Sequence, residues 1–239
     1  MNTAINWDTY KFHPSSLKNL MVEPRLKSES LSETTKSFLN ELYIEEVFGR
    51  KKTELVANKY VRKGTMCETD GIQLLERVSG ITLFKNNVTL ENEYLIGTPD
   101  IRKPKLIDIK NSWDLFTFFN VDEDQARKDY YWQLLGYMIL ENADEASLAY
   151  TLVDVPEILV RDEEYRLCYY MEEEEAKELC HKNYTFGDIP EELRVKTYTF
   201  LRNEEDIAKL LTRIELSRMY LKTMGLKPYI PIDKITTNC

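Results

Sequence analysis

The sequence has few of the residues that build cysteine and histidine metal cages or disulfide frameworks. Its 239 residues include four cysteines and two histidines. The cysteines are scattered without C-x-x-C spacing, at Cys67, Cys168, Cys180 and Cys239. His13 and His181 form no ligand pair. These absences exclude a zinc site and a disulfide framework, and they leave a histidine-ligated metal hydrolase without support. We expect reduced thiols in a cytosolic protein.

Long apolar runs are also missing. The start at Met1 lacks a charged segment followed by an apolar one, and no apolar run approaches ~18 residues, so we expect neither secretion nor a membrane span. Internal repeats and low-complexity linkers are absent too. We therefore expect one domain over residues 1–239. Within it we distinguish N-terminal helices at about 13–80, a core at about 81–160 and a C-terminal elaboration at 161–239.

An excess of basic residues is the third absence. The formal net charge is −9, which argues mildly against a nucleic-acid binder. The charge is unevenly distributed, because residues 50–63 carry six basic residues against one acid, whereas residues 162–178 are strongly acidic. One face is therefore expected to be positive on a negative molecule. The alternative is that both runs are solvated helix surface, and we favour it for the acidic run.

Periodicity and turn residues predict an α/β fold in which helices flank a mixed sheet. Helical patterns occur at 13–21, 30–49, 65–80, 123–142, about 172–182 and 203–225. We expect Ser32 and Asn203 to begin the second and the last of these, and Gly49, Gly80 and Gly225 to end the second, the third and the last. We expect Lys63-Gly64 to break the chain before the third of these. Residues 81–112 predict three strands joined as a meander. Further strands are predicted at 146–156 and 195–201, the former apolar enough to be a central strand buried on both faces.

The stretch GTPDIRKPKLIDIK (97–110) places charged residues inside a predicted hairpin. Strand side chains alternate, so Asp108 and Lys110 share one face while Ile107 and Ile109 share the other. Pairing of the strands would bring Asp100 near Asp108, where two carboxylates suit Mg²⁺ or Mn²⁺. A lysine beside such an ion suits a phosphodiester reaction. The alternative is a turn aspartate followed by solvated strand decoration.

Two further segments bear on this choice. Glu68 follows Lys63-Gly64 in the first turn of a predicted helix, where an acid is also ordinary helix-dipole chemistry. In DYYWQLLGYMIL (129–140), Gln133 and Tyr137 share a helix face at i, i+4. The alternative for that stretch is a core-facing helix with satisfied polar tips. Gly136 indicates close approach of another segment.

In their order along the chain, these motifs resemble the PD-(D/E)xK nucleases. The set is Glu68, Gly-Thr-Pro-Asp100, Asp108-Ile-Lys110 and Gln133-x-x-x-Tyr137. Within that superfamily the pattern is most similar to the RecB-like and YqaJ/lambda-exonuclease-like phage recombination nucleases, over roughly residues 13–160. The resemblance implies a restriction-endonuclease-like core. The chain departs from the commonest pattern by having Asp108 where Glu is usual, and it lacks the four spaced cysteines of the iron–sulfur branch.

The resemblance also implies roles for individual residues. Metal ligands to one or two Mg²⁺ or Mn²⁺ ions would be Glu68, Asp100, Asp108 and the backbone carbonyl of Ile109. Lys110 would be the catalytic lysine, and Gln133 and Tyr137 would support the site and the nearby phosphate. Candidate contacts to the phosphate of a DNA end are Ser15, Ser16 and Lys18. A helix start with hydroxyls suits an anion, although plain helix capping by Ser15 or Ser16 is the favoured alternative.

The function implied by the resemblance is a Mg²⁺-dependent DNA exonuclease acting on duplex ends in recombination or repair. A single-strand annealing or recombinase protein would be its partner, and the host bacterial cytoplasm its location if it is phage-encoded. A homo-oligomeric ring, a trimer by resemblance, would reconcile a positive channel with the negative net charge. Two alternatives stay open: a structure- or sequence-selective endonuclease, and a catalytically inactive nucleic-acid-binding homologue.

Overall fold

The computed structural model describes residues 5–52 and 58–224. Its α-helices are α1 (Leu17–Leu20), α2 (Glu33–Phe48), α3 (Lys59–Met66), α4 (Glu68–Ser79), α5 (Leu115–Asn120), α6 (Glu123–Glu141), α7 (Glu157–Leu167), α8 (Glu173–Tyr184) and α9 (Glu204–Thr223). Its strands are β1 (Leu90–Glu91), β2 (Ile96–Gly97), β3 (Ile107–Asn111), β4 (Glu145–Thr151) and β5 (Val195–Leu201).

The central sheet has the order β3-β4-β5 and is mixed. Strand β3 runs parallel to β4, with Ile109 opposite Ala149, because helices α5 and α6 carry the chain back between them. Strand β5 pairs with β4 in the antiparallel sense. Residues 146–151 of β4 are all buried, which confirms the predicted central strand. The strand ends earlier than predicted, since the chain turns toward Pro156 at the start of α7.

Helices cover both faces of this sheet, as predicted. Helix α4 packs Ile72 and Leu75 against Ile107 and Ile109 on one face. Helix α6 covers the other face, where its residues Leu134 and Met138 join a buried cluster with residues of β4 and β5. The alternation of β3 therefore directs Ile107 and Ile109 toward α4 and leaves the opposite face of β3 to α6.

The predicted meander forms only in a shortened version. Strands β1 and β2 pair over two residues each, and Ile101 bridges separately to Lys85 and to Ile107. Asparagine side chains form hydrogen bonds with backbone groups that would otherwise pair between the strands of a longer meander. The amide of Asn86 donates to the carbonyls of Val88 and Pro99, and Asn92 Oδ1 accepts from two following backbone N–H groups.

The prediction of a break at Lys63-Gly64 is wrong. Helix α3 continues through both residues, because Asn58 caps its start by accepting from the N–H groups of Tyr60 and Val61. The break lies at Cys67, and α4 begins at Glu68 rather than at residue 65. Among residues 5–52 and 58–224, no atom lies within 4 Å of a Cβ placed on Gly64, so no described segment approaches closely there.

Other helix ends follow the predicted capping residues. Ser32 caps α2, Asn203 caps α9, and Gly49 and Gly80 end α2 and α4 at φ values of 63° and 67°. The predicted end at Gly225 lies outside the described residues. In the segment predicted as a helix over 13–21, only α1 is α-helical. Ser16 occupies the predicted N-cap position of α1, but its side chain makes no capping hydrogen bond, and its hydroxyl donates to the carbonyl of His13.

The basic run at 50–63 does not form a free positive face in its described part. Lys59 pairs with Glu163 at 3.0 Å and Arg62 with Asp162 at 2.8 Å, so the basic run contacts the acidic run. Lys51 pairs with Glu45 of α2. Among the residues described, every helix is too short or too polar to cross a lipid bilayer.

Candidate active site

The site begins at the end of β3, where three charged side chains meet. The backbone N–H of Ile109 donates to Asp100 Oδ2 at 2.7 Å, which fixes this carboxylate beside the strand. Asp108 is only 2% exposed, and Lys110 Nζ lies 2.7 Å from its Oδ2 atom. The interpretation of this stretch as a solvated hairpin is therefore wrong.

Helix α6 supplies the polar group that holds Asp108. Gln133 Nε2 donates to Asp108 Oδ1 at 2.8 Å in a buried contact. One turn later the Tyr137 hydroxyl donates to the carbonyl of Thr98 at 3.4 Å, next to the turn that carries Asp100. The predicted i, i+4 pair thus contacts both halves of the hairpin. Asp108 Oδ2 is buried and accepts no aligned hydrogen bond, despite the nearby Lys110 ammonium.

The backbone of Ile109 also faces the site. In a strand, the N–H and C=O of one residue point to the same side. Because the N–H of Ile109 reaches Asp100 and not β4, its carbonyl points to that same edge. The residue lines the cleft described below. This orientation agrees with the predicted use of the carbonyl as a ligand.

Glu68 lines the same cleft from the first turn of α4. Its Oε2 atom lies 3.1 Å from Lys85 Nζ. Within residues 5–52 and 58–224, no three His, Cys, Asp or Glu side chains are close enough to form a complete metal cage. The Glu68 carboxylate is close enough to contribute to the raised pKa of Asp100, and it pairs with Lys85; its use as a metal ligand stays a prediction.

The electrostatics of the site reflect two carboxylates in a confined space. Burial, together with the adjacent Asp108 carboxylate, raises the pKa of Asp100 to about 7. Burial acts to lower the pKa of Lys110, but Asp108 and Asp100 outweigh it and raise that pKa above its usual value. Burial and the same two carboxylates also raise the pKa of Tyr137. The site therefore favours an added positive charge.

A cleft of about 520 Å³ opens above these residues. Helix α3 contributes Tyr60 and Thr65 to its wall, and Trp113 and Thr117 come from the segment after β3. The buried Lys63 joins the two walls, since its ammonium donates to the carbonyls of Ser112 at 2.5 Å and Trp113 at 3.1 Å. Burial lowers the pKa of Lys63 to about 8.

Sequence reasoning missed two contributors to the site. The predicted break at Lys63-Gly64 gives Lys63 no role in the site. Its position inside the amphipathic helix α3 is the signal for its burial. Tyr130, to which the sequence motif assigns no role, lines the cleft, and the centre of its ring lies 4.8 Å from Lys110 Nζ. The ring face attracts this ammonium and restrains its position.

The predicted DNA-end contacts lie beside α6. Lys18 pairs with Asp129 at 2.5 Å, one residue before Tyr130, while Ser15 is exposed. The segment reaches this place because Gly136 has no side chain. A Cβ there would lie 2.7 Å from Leu17 Cδ1 and 3.1 Å from Pro14 Cβ. Gly136 therefore permits the predicted close approach.

The donor set fits a divalent cation. Asp108 Oδ2 is a buried oxygen without an aligned hydrogen bond. The raised pKa of Asp100 means that its ionised form is disfavoured without an added positive charge. The Ile109 carbonyl points to the same edge of the strand. All three are hard oxygen donors of the kind that Mg²⁺ and Mn²⁺ prefer. A cation there would relieve the repulsion between the two carboxylates.

Comparison with solved structures identifies the family. The chain is similar to a phage-related exonuclease from Haemophilus somnus 129PT, with 30% identity and a TM-score of 0.73 over 89% of this chain and 94% of that one. This chain belongs to the lambda-exonuclease-like family of PD-(D/E)xK nucleases. In this chain Asp100 and Lys110 line the cleft, and Gln133 of α6 holds the buried Asp108 beside them.

A second solved structure has the same fold at lower identity. The alkaline exonuclease LHK-Exo from Laribacter hongkongensis matches with 12% identity and a TM-score of 0.58, covering 90% of this chain and 91% of that one. Its complex with dAMP matches with 12% identity and a TM-score of 0.57, over 89% and 88%. No protein-family model and no curated protein matches the sequence.

Proposed function

We propose that this chain is a Mg²⁺- or Mn²⁺-dependent DNA exonuclease that hydrolyses phosphodiester bonds from duplex ends. The observation that carries the proposal is the convergence of Asp100, Asp108 and Lys110 with Gln133 at one open cleft. The similar solved structures are a phage-related exonuclease and an alkaline exonuclease, which supports the same chemistry.

The cation would be held by Asp100, Asp108 and the Ile109 carbonyl, with Glu68 as a further ligand. When bound, it supplies Lewis-acid stabilisation of the phosphate and activation of water. Gln133 keeps Asp108 oriented by its hydrogen bond to Oδ1, so that Oδ2, now 2.7 Å from Lys110 Nζ, would be the atom that contacts the ion. Tyr137 braces the turn that carries Asp100.

Lys110 acts as a cation in this scheme. Its raised pKa keeps the ammonium charged near neutral pH. From the cleft floor it can donate to the scissile phosphate, or orient the attacking water and neutralise developing charge. The face of the Tyr130 ring attracts this ammonium through a cation–π interaction and restrains its position.

The family and the net charge are the basis for a proposal about the wider assembly. We propose a role in phage-type recombination or repair with a single-strand annealing or recombinase partner. A homo-oligomeric ring with a positive channel would bind DNA although the chain has a net charge of −9. Lys18, Ser15 and Ser16 are proposed to contact the DNA end, for which Lys18 must leave Asp129.

A digestion assay on two substrates tests the function. One substrate is linear duplex DNA with one labelled strand, with and without a 5′-phosphate, and the other is covalently closed circular DNA. With Mg²⁺ we expect the linear duplex to shorten from its ends and the closed circle to survive, and EDTA to abolish the reaction. Cleavage of the circle would favour an endonuclease. Intact linear DNA with preserved DNA binding would favour an inactive binding homologue.

A further inference from the structure

Helix α4 approaches the sheet unusually closely at Gly71. A Cβ atom at this position would lie 2.5 Å from Asn111 Oδ1 and 2.8 Å from Thr151 Oγ1, with Ile109 Cγ2 at 3.1 Å. Ordinary Cβ contacts begin at about 3.4 Å, so the helix could not carry a side chain here without moving.

The atoms facing Gly71 are fixed. Thr151 is fully buried in the central strand and is β-branched, so its side chain has little freedom. Its hydroxyl donates to Asn111 Oδ1 at 2.7 Å, which also locks the Asn111 amide in place. A side chain at position 71 would therefore displace α4 by up to about 1 Å, and the neighbours would not yield.

Gly71 lies one turn after Glu68 on the same helix face, because residues at i and i+3 are neighbours. A helix moves as a rigid unit over one turn, so a displacement at Gly71 carries Glu68 with it. We propose that Gly71 is a positioning residue that sets the distance between Glu68 and the carboxylates of Asp100 and Asp108. This inference rests on the proposed metal-dependent function.

Calorimetric titration of Mg²⁺ into DNA-free protein tests the proposal. We expect Gly71→Ala to weaken Mg²⁺ binding about tenfold or more, in line with other changes behind a metal ligand. Gly64→Ala is the matched control, because Gly64 also lies in a helix interior and its added Cβ would meet nothing within 4 Å. It should leave the Mg²⁺ affinity within about twofold of the wild type.

A double-mutant cycle with Glu68→Gln separates positioning from general damage. If Gly71 acts through Glu68, Gly71→Ala should add little to the loss already caused by Glu68→Gln. Additive losses would overturn the proposal, as would unchanged affinity in Gly71→Ala. If the wild type itself binds no Mg²⁺, or Glu68→Gln has no effect, the metal role assigned to Glu68 fails first.

A rescue variant covers the case in which Gly71→Ala folds poorly. Thr151→Ala removes one clashing atom and releases the Asn111 amide that supplies the other. Gly71→Ala/Thr151→Ala should therefore recover both folding and most of the Mg²⁺ affinity of Thr151→Ala alone. A double variant no better than Gly71→Ala, in folding or in affinity, contradicts the proposal.

Discussion

Asp100 is expected to destabilise the metal-free protein at neutral and alkaline pH. Its pKa rises from 3.8 to about 7 because of burial and the adjacent Asp108. The folded state therefore holds a proton that the unfolded state releases between these values, and stability falls as pH rises through this window. At about 1.4 kcal/mol for each pKa unit, the cost above pH 7 is about 4 kcal/mol at most.

Asp100→Asn removes this cost and keeps the hydrogen bond, because the amide oxygen can still accept from the Ile109 N–H. Urea unfolding in EDTA at about pH 8 should give a higher unfolding free energy for the variant, and the gain should shrink toward pH 4. Added Mg²⁺ should stabilise the wild type at pH 8 but not the variant. Asp188→Asn, at an exposed position, is the control. A variant less stable than the wild type at pH 8 would refute the reasoning.

Three further predictions concern residues around the carboxylates. Gln133→Leu leaves Asp108 Oδ1 without its partner and should weaken Mg²⁺ affinity about 10- to 100-fold by calorimetry; equal affinity would remove Gln133 from the site. Lys63→Met leaves the carbonyls of Ser112 and Trp113 unpaired and should lower the unfolding free energy measured in urea by about 2–4 kcal/mol. A decrease below about 0.5 kcal/mol would show that Lys63 does not hold the two walls of the cleft together. Tyr130→Leu should slow hydrolysis several-fold, whereas Tyr130→Phe keeps the ring and should keep the rate. Equal slowing by both variants would show that the hydroxyl, and not the ring, is the group that matters.

The parts of the site that were predictable depend on local backbone geometry. Strand alternation places Asp108 beside Lys110 whatever surrounds them, and the helical repeat places Gln133 one turn from Tyr137. Caps such as Ser32 and Asn203 also act within a few residues. These features were therefore predicted from the sequence and are found in the structure.

Features that depend on distant segments were not predictable. The pairing of Lys59 and Arg62 with acids of α7 cancels a basic run that looks exposed in the sequence. Gly64 resembles a breaker, yet the cap at Asn58 and the burial of Lys63 keep α3 intact. In both cases tertiary contacts outweigh local propensity.

The rate of phosphodiester hydrolysis in a Lys110→Met variant tests the central claim most directly. The measurement is a single-turnover digestion of labelled linear duplex DNA with saturating Mg²⁺, beside Lys105→Met as a matched control from the exposed loop of the same hairpin. We predict a loss of at least about 100-fold for Lys110→Met, the scale of removing one electrostatic donor to a transition state, and a near wild-type rate for Lys105→Met. Equal rates in the two variants would contradict the account.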